Sequence, residues 1–232
     1  MTRGRKRTEG PDEAEQAPVT RARRLADEAY NLILEQLISL KLPPGARITV
    51  DELARQFGIS QTPIREALTR LESHGLVSKT HLIGYHATPQ LDREQFRKLY
   101  EVRSLLEPAA ARNAAVNMDD AQLESLVRFA ADMQKEVADA KRINYGRFAL
   151  HDDEFHARIA EGGGNELIFE ALSRLHSHVH IFRLYFHSWV TESALKEHQA
   201  IVDALVARDP DAAEAAMRFH IDESWNRLQQ GF

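Results

Sequence analysis

The chain is 232 residues long, with 43% hydrophobic and 28% charged residues and no cysteine. That is ordinary for a soluble protein of one large or two smaller domains, and it excludes disulfides and thiolate metal sites. The net charge of −5 conceals a split: residues 1–90 hold 13 Lys+Arg against 11 Asp+Glu, and residues 91–232 hold 17 against 24. Only the front part could lie along a polyanion without repulsion.

No apolar run approaches the roughly 20 residues that cross a bilayer. The basic residues at the N-terminus have no apolar segment behind them, so no secretory signal is read and a cytoplasmic protein is expected. Residues 1–20 are polar, with a basic cluster at Arg3, Arg5, Lys6 and Arg7; they are expected to form a disordered, solvated tail.

From Arg21 to about Leu40, Leu25, Ala29, Leu32, Ile33, Leu37 and Leu40 recur at helical spacing, and Pro43, Pro44 and Gly45 end the helix. Ile48 and Val50 suit a short strand. Asp51 to Gly75 then reads as two short helices: Leu53, Ala54 and Phe57 face one way, and Ile64, Ala67, Leu68 and Leu71 form a second apolar stripe. Gly58 is placed for the reversal, since glycine tolerates positive φ. Thr62 can cap the second helix with Pro63 at its first position. That helix turns Gln61, Thr62, Arg65 and Thr69 outward, side chains able to meet base edges or phosphates. A plain helical hairpin with a polar outer face is equally open at this point. Leu76 to Thr88 has β-branched and apolar residues on both sides of Gly84, which suits a two-stranded ribbon.

PPGARITVDELARQFGISQTPIREALTRLESHGLV is similar to the DNA-binding domain of GntR-family transcription regulators. The resemblance implies a winged helix-turn-helix over residues 21–88, with Ser60, Thr62 and Arg65 on double-stranded operator DNA and the ribbon tip at Gly84 near the minor groove. Two positions depart from the family pattern. Gln61 stands where arginine is usual, which moves the base preference from guanine toward adenine. Leu82 and Ile83 replace basic residues of the wing, which implies fewer phosphate contacts.

Pro89 and Gln90 mark the expected domain boundary. Beyond them, helices are read over Asp92–Asn117, Asp119–Ala140, Ile143–Ala160, Glu166–His187, Thr191–Ala207 and Pro210–Gln229, with Gly162, Gly163 and Gly164 between the third and fourth. No strand pattern appears after Thr88. The fold class is therefore mostly α: a winged helix-turn-helix followed by an antiparallel helical bundle over residues 89–232.

Three apolar stripes of the bundle carry ionisable groups, which need a partner or a ligand. Asp152 and His156 share a face with Phe148, Phe155 and Ile159; His198 lies between Leu195 and Ile201; His220 lies among Ala216, Met217 and Ile221. Neutral imidazoles with a carboxylate suit zinc, nickel or manganese, and hydrogen-bonded core histidines would give the same pattern. Asp152–Asp153–Glu154–Phe155–His156, Glu197–His198 and His220 resemble the FCD effector-binding domain of the FadR subfamily, and that resemblance implies Asp152, His156, His198 and His220 as metal ligands. Arg103, in the motif Arg103-Ser104-Leu105-Leu106-Glu107, becomes the candidate anchor for a small carboxylate effector, with an ion pair to an acidic neighbour as the alternative. His176 and Arg183 are further pocket candidates.

The function implied is a ligand-responsive regulator, a repressor acting as a homodimer on a near-palindromic operator. A sensor of the metal itself shares the fold. A metal-dependent hydrolase fits less well: no HExxH occurs, because His151 and His156 are five apart.

Overall fold

The computed structural model describes residues 18–81, 84–139, 145–175, 177, 180–181 and 188–229. It opens with α1 (Pro18–Ile38), β1 (Arg47–Ile48), α2 (Val50–Phe57), α3 (Gln61–Ser73), β2 (Val77–Thr80) and β3 (Gly84–Ala87). Ala29, Ile33 and Leu37 of α1 meet Ile64, Ala67, Leu68 and Leu71 of α3 in one core, all of them fully buried. The three short strands form an antiparallel sheet in the order β1-β3-β2, with Ile48 opposite Tyr85 and Lys79 opposite Tyr85 on its other side.

Two local expectations need correction. Val50 is not in a strand: Thr49 is the N-cap of α2, and Val50 is its first residue. Helix α3 is capped by Ser60 rather than Thr62, so Gln61 and Thr62 already belong to its first turn. Pro63 is tolerated there because the opening N–H groups of a helix have no intrahelical acceptor. Helix α1 likewise starts inside the expected tail, at Pro18. Residues 1–17, with Leu82 and Ile83 of the wing, lie outside the described residues.

Beyond β3 the described elements are all helices: α4 (Arg93–Asn117), α5 (Asp120–Asp139), α6 (Tyr145–Gly162), α7 (Glu166–Leu175), α8 (Ser188–Val206) and α9 (Pro210–Leu228). Asp92 and Gln95 close a reciprocal capping box at the start of α4, with N–H···O distances of 2.8 and 3.0 Å. Helix α4 is the spine, packed along α9 and against α6. Phe96 stacks on Trp225 at 5.3 Å between ring centroids, and the Tyr100 hydroxyl lies 2.6 Å from Ser224 Oγ.

The glycine run that separates α6 from α7 is also a packing device. Asn117 Nδ2 donates to the Gly163 carbonyl at 2.8 Å. A Cβ on Gly163 would lie 2.9 Å from the backbone oxygen of Ala110. Backbone cannot move aside as a flexible side chain can, so Gly163→Ala is expected to lower stability by about 1–3 kcal/mol. Urea denaturation checks this; a midpoint equal to wild type would show that α6 and α4 are free to separate.

Candidate metal centre and DNA-reading helix

Helix α3 buries Pro63, Ile64, Ala67, Leu68 and Leu71 and leaves Gln61, Thr62, Arg65 and Thr69 exposed, as does its N-cap Ser60. Gly58 ends α2 in the left-handed region at φ 66°, which sets the reversal between the two helices. Gln61 Nε2 donates to Asp51 Oδ1 at 2.6 Å, tying α3 to α2, and Arg65 Nη2 reaches Gln61 Oε1 at 3.4 Å. Gly84 opens β3 at φ 109°.

Between α3 and the wing lies an open hollow of about 420 Å³ lined by Arg65, Arg47, Lys79 and His81 among others. Arg47 and Lys79 were not singled out from sequence. Each is one basic residue in a short strand, and only the antiparallel register brings them beside Arg65. Because Arg65 is exposed, Arg65→Ala should leave stability within about 0.5 kcal/mol of wild type. Binding to selected DNA should weaken by about 1–3 kcal/mol if it reads a base. Fluorescence anisotropy with such DNA measures this, and unchanged affinity would remove Arg65 from the reading surface.

In the bundle, α6 supplies Asp152 and His156, α8 supplies His198 and α9 supplies His220. All four are buried, none more than 6% exposed. The three histidines bring ligand atoms within 4.8 Å of one another, and Asp152 Oδ1 lies 3.3 Å from His198 Nε2. Adjacent ligands of an ion at 2.0–2.2 Å stand roughly 3.0–3.5 Å apart; the three imidazoles form the convergent cluster, and Asp152 joins it through His198 alone. Phe155 stacks on His198 with centroids 4.3 Å apart and fixes its plane.

Two carboxylates stand behind the imidazoles. Glu107 Oε2 is 2.7 Å from His156 Nδ1, and Glu197 Oε2 is 2.8 Å from His220 Nδ1. A carboxylate that accepts a hydrogen bond from Nδ1–H leaves the Nε2 lone pair for a metal. Burial pushes the His220 imidazole down, only partly offset by Glu197, and so favours the neutral form that ligation requires. Glu197 is gripped in turn by both Nη atoms of Arg227, one at 2.8 Å.

Glu107 is held by Arg103, whose Nε donates to Oε1 at 2.5 Å. Burial alone would raise the Glu107 carboxyl, but Arg103 and then His156 outweigh it and hold it well below the usual range. Arg103 is 1% exposed, so the carboxylate that its fork meets is Glu107, one turn along α4, and the ion-pair alternative is the one the structure displays. His176 and Arg183 lie outside the described residues. Glu154 points outward and pairs with Arg158 at 2.7 Å, away from the imidazoles.

The model for "Bacterial regulatory proteins, gntR family" matches residues 25–85, and the FCD domain model matches residues 98–223. The chain is 32% identical over 200 residues to the "Probable D-xylose utilization operon transcriptional repressor" of Paenarthrobacter nicotinovorans, covering 85% of each chain. It is 29% identical over 195 residues to the "Nta operon transcriptional regulator" of Aminobacter aminovorans, covering 82% of this chain and 88% of that one. Among solved structures, E. coli McbR/YncC shares the fold with a TM-score of 0.68 at 22% identity, over 89% of this chain and 97% of that one. No described helix is long and apolar enough to cross a membrane. A winged helix with an exposed reading face, joined to an FCD bundle in the FadR-like arrangement, makes this chain a member of the GntR family of DNA-binding transcriptional regulators.

Proposed function

We propose that this regulator holds a divalent metal ion in its bundle through Asp152, His156, His198 and His220, and that a small carboxylate metabolite bound at the ion's open positions alters operator affinity. The observation that carries this reading is the buried convergence of the three imidazoles, their ligand atoms within 4.8 Å of one another. Zinc is the first choice, with nickel or manganese compatible with the same donors. The ion supplies a Lewis-acidic anchor for a carboxylate. Glu107 and Glu197 fix ring orientation, and Arg103 and Arg227 fix those carboxylates.

Repression as a homodimer on two half-sites completes the proposal. The D-xylose relative is named a repressor, as is RspR of E. coli, 25% identical over 205 residues. Effector and operator are then linked sites, because a ligand that favours one conformation must change affinity for the other partner.

Elemental analysis of protein purified without added chelator tests the ligand set. About one equivalent of metal per chain is expected in wild type and a small fraction of that in His220→Ala. Equal metal in the two proteins would refute the assignment.

A further inference from the structure

A cavity of about 240 Å³ is lined by Glu107 and His156 but by none of Asp152, His198 and His220. Its opposite wall belongs to the DNA-reading unit: Tyr30 of α1 and His74, the C-cap of the reading helix α3. The Tyr30 hydroxyl lies 2.8 Å from His74 Nδ1. Burial pushes the Tyr30 phenol up to about 12, so it remains a neutral hydroxyl.

We propose that this cavity is a second ligand site, shared between the DNA-reading unit and the bundle, that takes a small uncharged polyol. The chemistry of the walls selects that class. The carboxylates of Asp153 and Glu107 disfavour an anion. Glu107 is already paired with Arg103 and His156, which leaves a cation little to gain from it. A hydroxyl both donates and accepts, which matches a wall mixing carboxylates with the phenol of Tyr30 and the buried hydroxyl of Ser177. Leu150, Phe169 and Leu172 supply an apolar flank for the C–H faces of such a molecule. The volume lies just below the usual 300–1,000 Å³ of small-ligand pockets, which limits the occupant to about the size of a four- or five-carbon polyol.

An occupant touches α1 and the end of α3 on one side and α6 on the other, and α6 also carries Asp152 and His156. Any change in how the reading unit packs on α6 therefore alters the cavity, and filling the cavity biases that packing. The cavity shares His156 with the proposed metal set, but a polyol needs no ion to bind there, so binding without zinc tests it separately from the metal reading.

Erythritol is the probe, with acetate as the charged control, titrated against the full chain by ligand-observed NMR with and without zinc. Erythritol is expected to bind saturably in both states, and at least tenfold more weakly to Ala157→Phe, whose added ring occupies the cavity. Tyr30→Phe removes one hydroxyl only and should weaken erythritol about fivefold while the chain stays folded. Saturating erythritol should also slow amide exchange over residues 70–75 and 150–157 together. No saturable binding to wild type, or equal binding to wild type and Tyr30→Phe, overturns the proposal. Loss of zinc-dependent acetate binding alone refutes the metal reading and leaves this one standing.

Discussion

Glu107→Ala is expected to lower the free energy of unfolding by about 3–5 kcal/mol, the cost of removing one partner from a buried ion pair. The carboxylate is 3% exposed and Arg103 is 1% exposed, so the substitution removes the acid that neutralises a buried cation. Arg103 would keep its charge in the core beside the Tyr100 ring, 5.1 Å from its Cζ, with Asp152 as the nearest acid left to act on it. His156 would lose the group that holds its Nδ1 at 2.7 Å. Removing both members, Arg103→Met with Glu107→Leu, should restore most of the loss, because the pair's desolvation disappears together with its attraction. Urea denaturation of the two variants decides this. A loss below about 1 kcal/mol in the single variant would mean that Arg103 finds water or a second acid, contrary to its burial.

Saturating zinc should raise the stability of metal-stripped wild type by about 4 kcal/mol at a thousandfold excess over the dissociation constant. The same addition should do almost nothing for His198→Ala. An ion held by this set would bind the folded chain alone, since the three helices that carry the proposed ligands converge only after folding. His198 is central because its Nε2 faces Asp152 at 3.3 Å while Phe155 covers its ring. Its loss would remove a proposed ligand and leave the carboxylate of Asp152 without that neighbour. Glu197→Gln should be intermediate: it keeps the ring count but weakens the hold on His220 Nδ1, with affinity falling about 10–100-fold. Thermal melts with and without zinc resolve the three cases. A zinc-induced rise in His198→Ala as large as in wild type would place the ion elsewhere.

Much of this architecture can be read directly from residue spacing. The apolar periodicity of α3 separates its buried face from Gln61, Thr62, Arg65 and Thr69, and the capping residue Asp92 marks the start of α4. The four candidate ligands are visible as ionisable groups on apolar stripes, because such groups are costly in a core without a partner. What lies beyond sequence reading depends on contacts between distant segments. Glu197 reaches His220 and Arg227 across two helices. Nothing in its spacing distinguishes it from the exposed Glu192 on the same helix.

Arg103 shows the opposite difficulty. Its (i, i+4) relation to Glu107 is plain in the sequence, but surface pairs of that kind are common, and only burial reveals that the pair is closed. Thr-Pro is a strong helix-opening signal that points two residues beyond the true start of α3, whose N-cap position, Ser60, makes no side-chain cap hydrogen bond. The cavity beneath Tyr30 and His74 has no sequence signature, because it exists only where segments distant in the chain meet.

The most direct test of a metal-borne effector acting on an operator is DNA affinity itself. Anisotropy titrations would use DNA selected by the protein, with zinc-loaded wild type, metal-stripped wild type and His198→Ala, each against a panel of small mono-, di- and hydroxycarboxylates. At least one acid is expected to shift the operator dissociation constant tenfold or more for the loaded wild type, and none for the other two proteins. Identical affinities for all three proteins across the whole panel would contradict the proposal that an ion in the bundle reports its ligand to the reading helix.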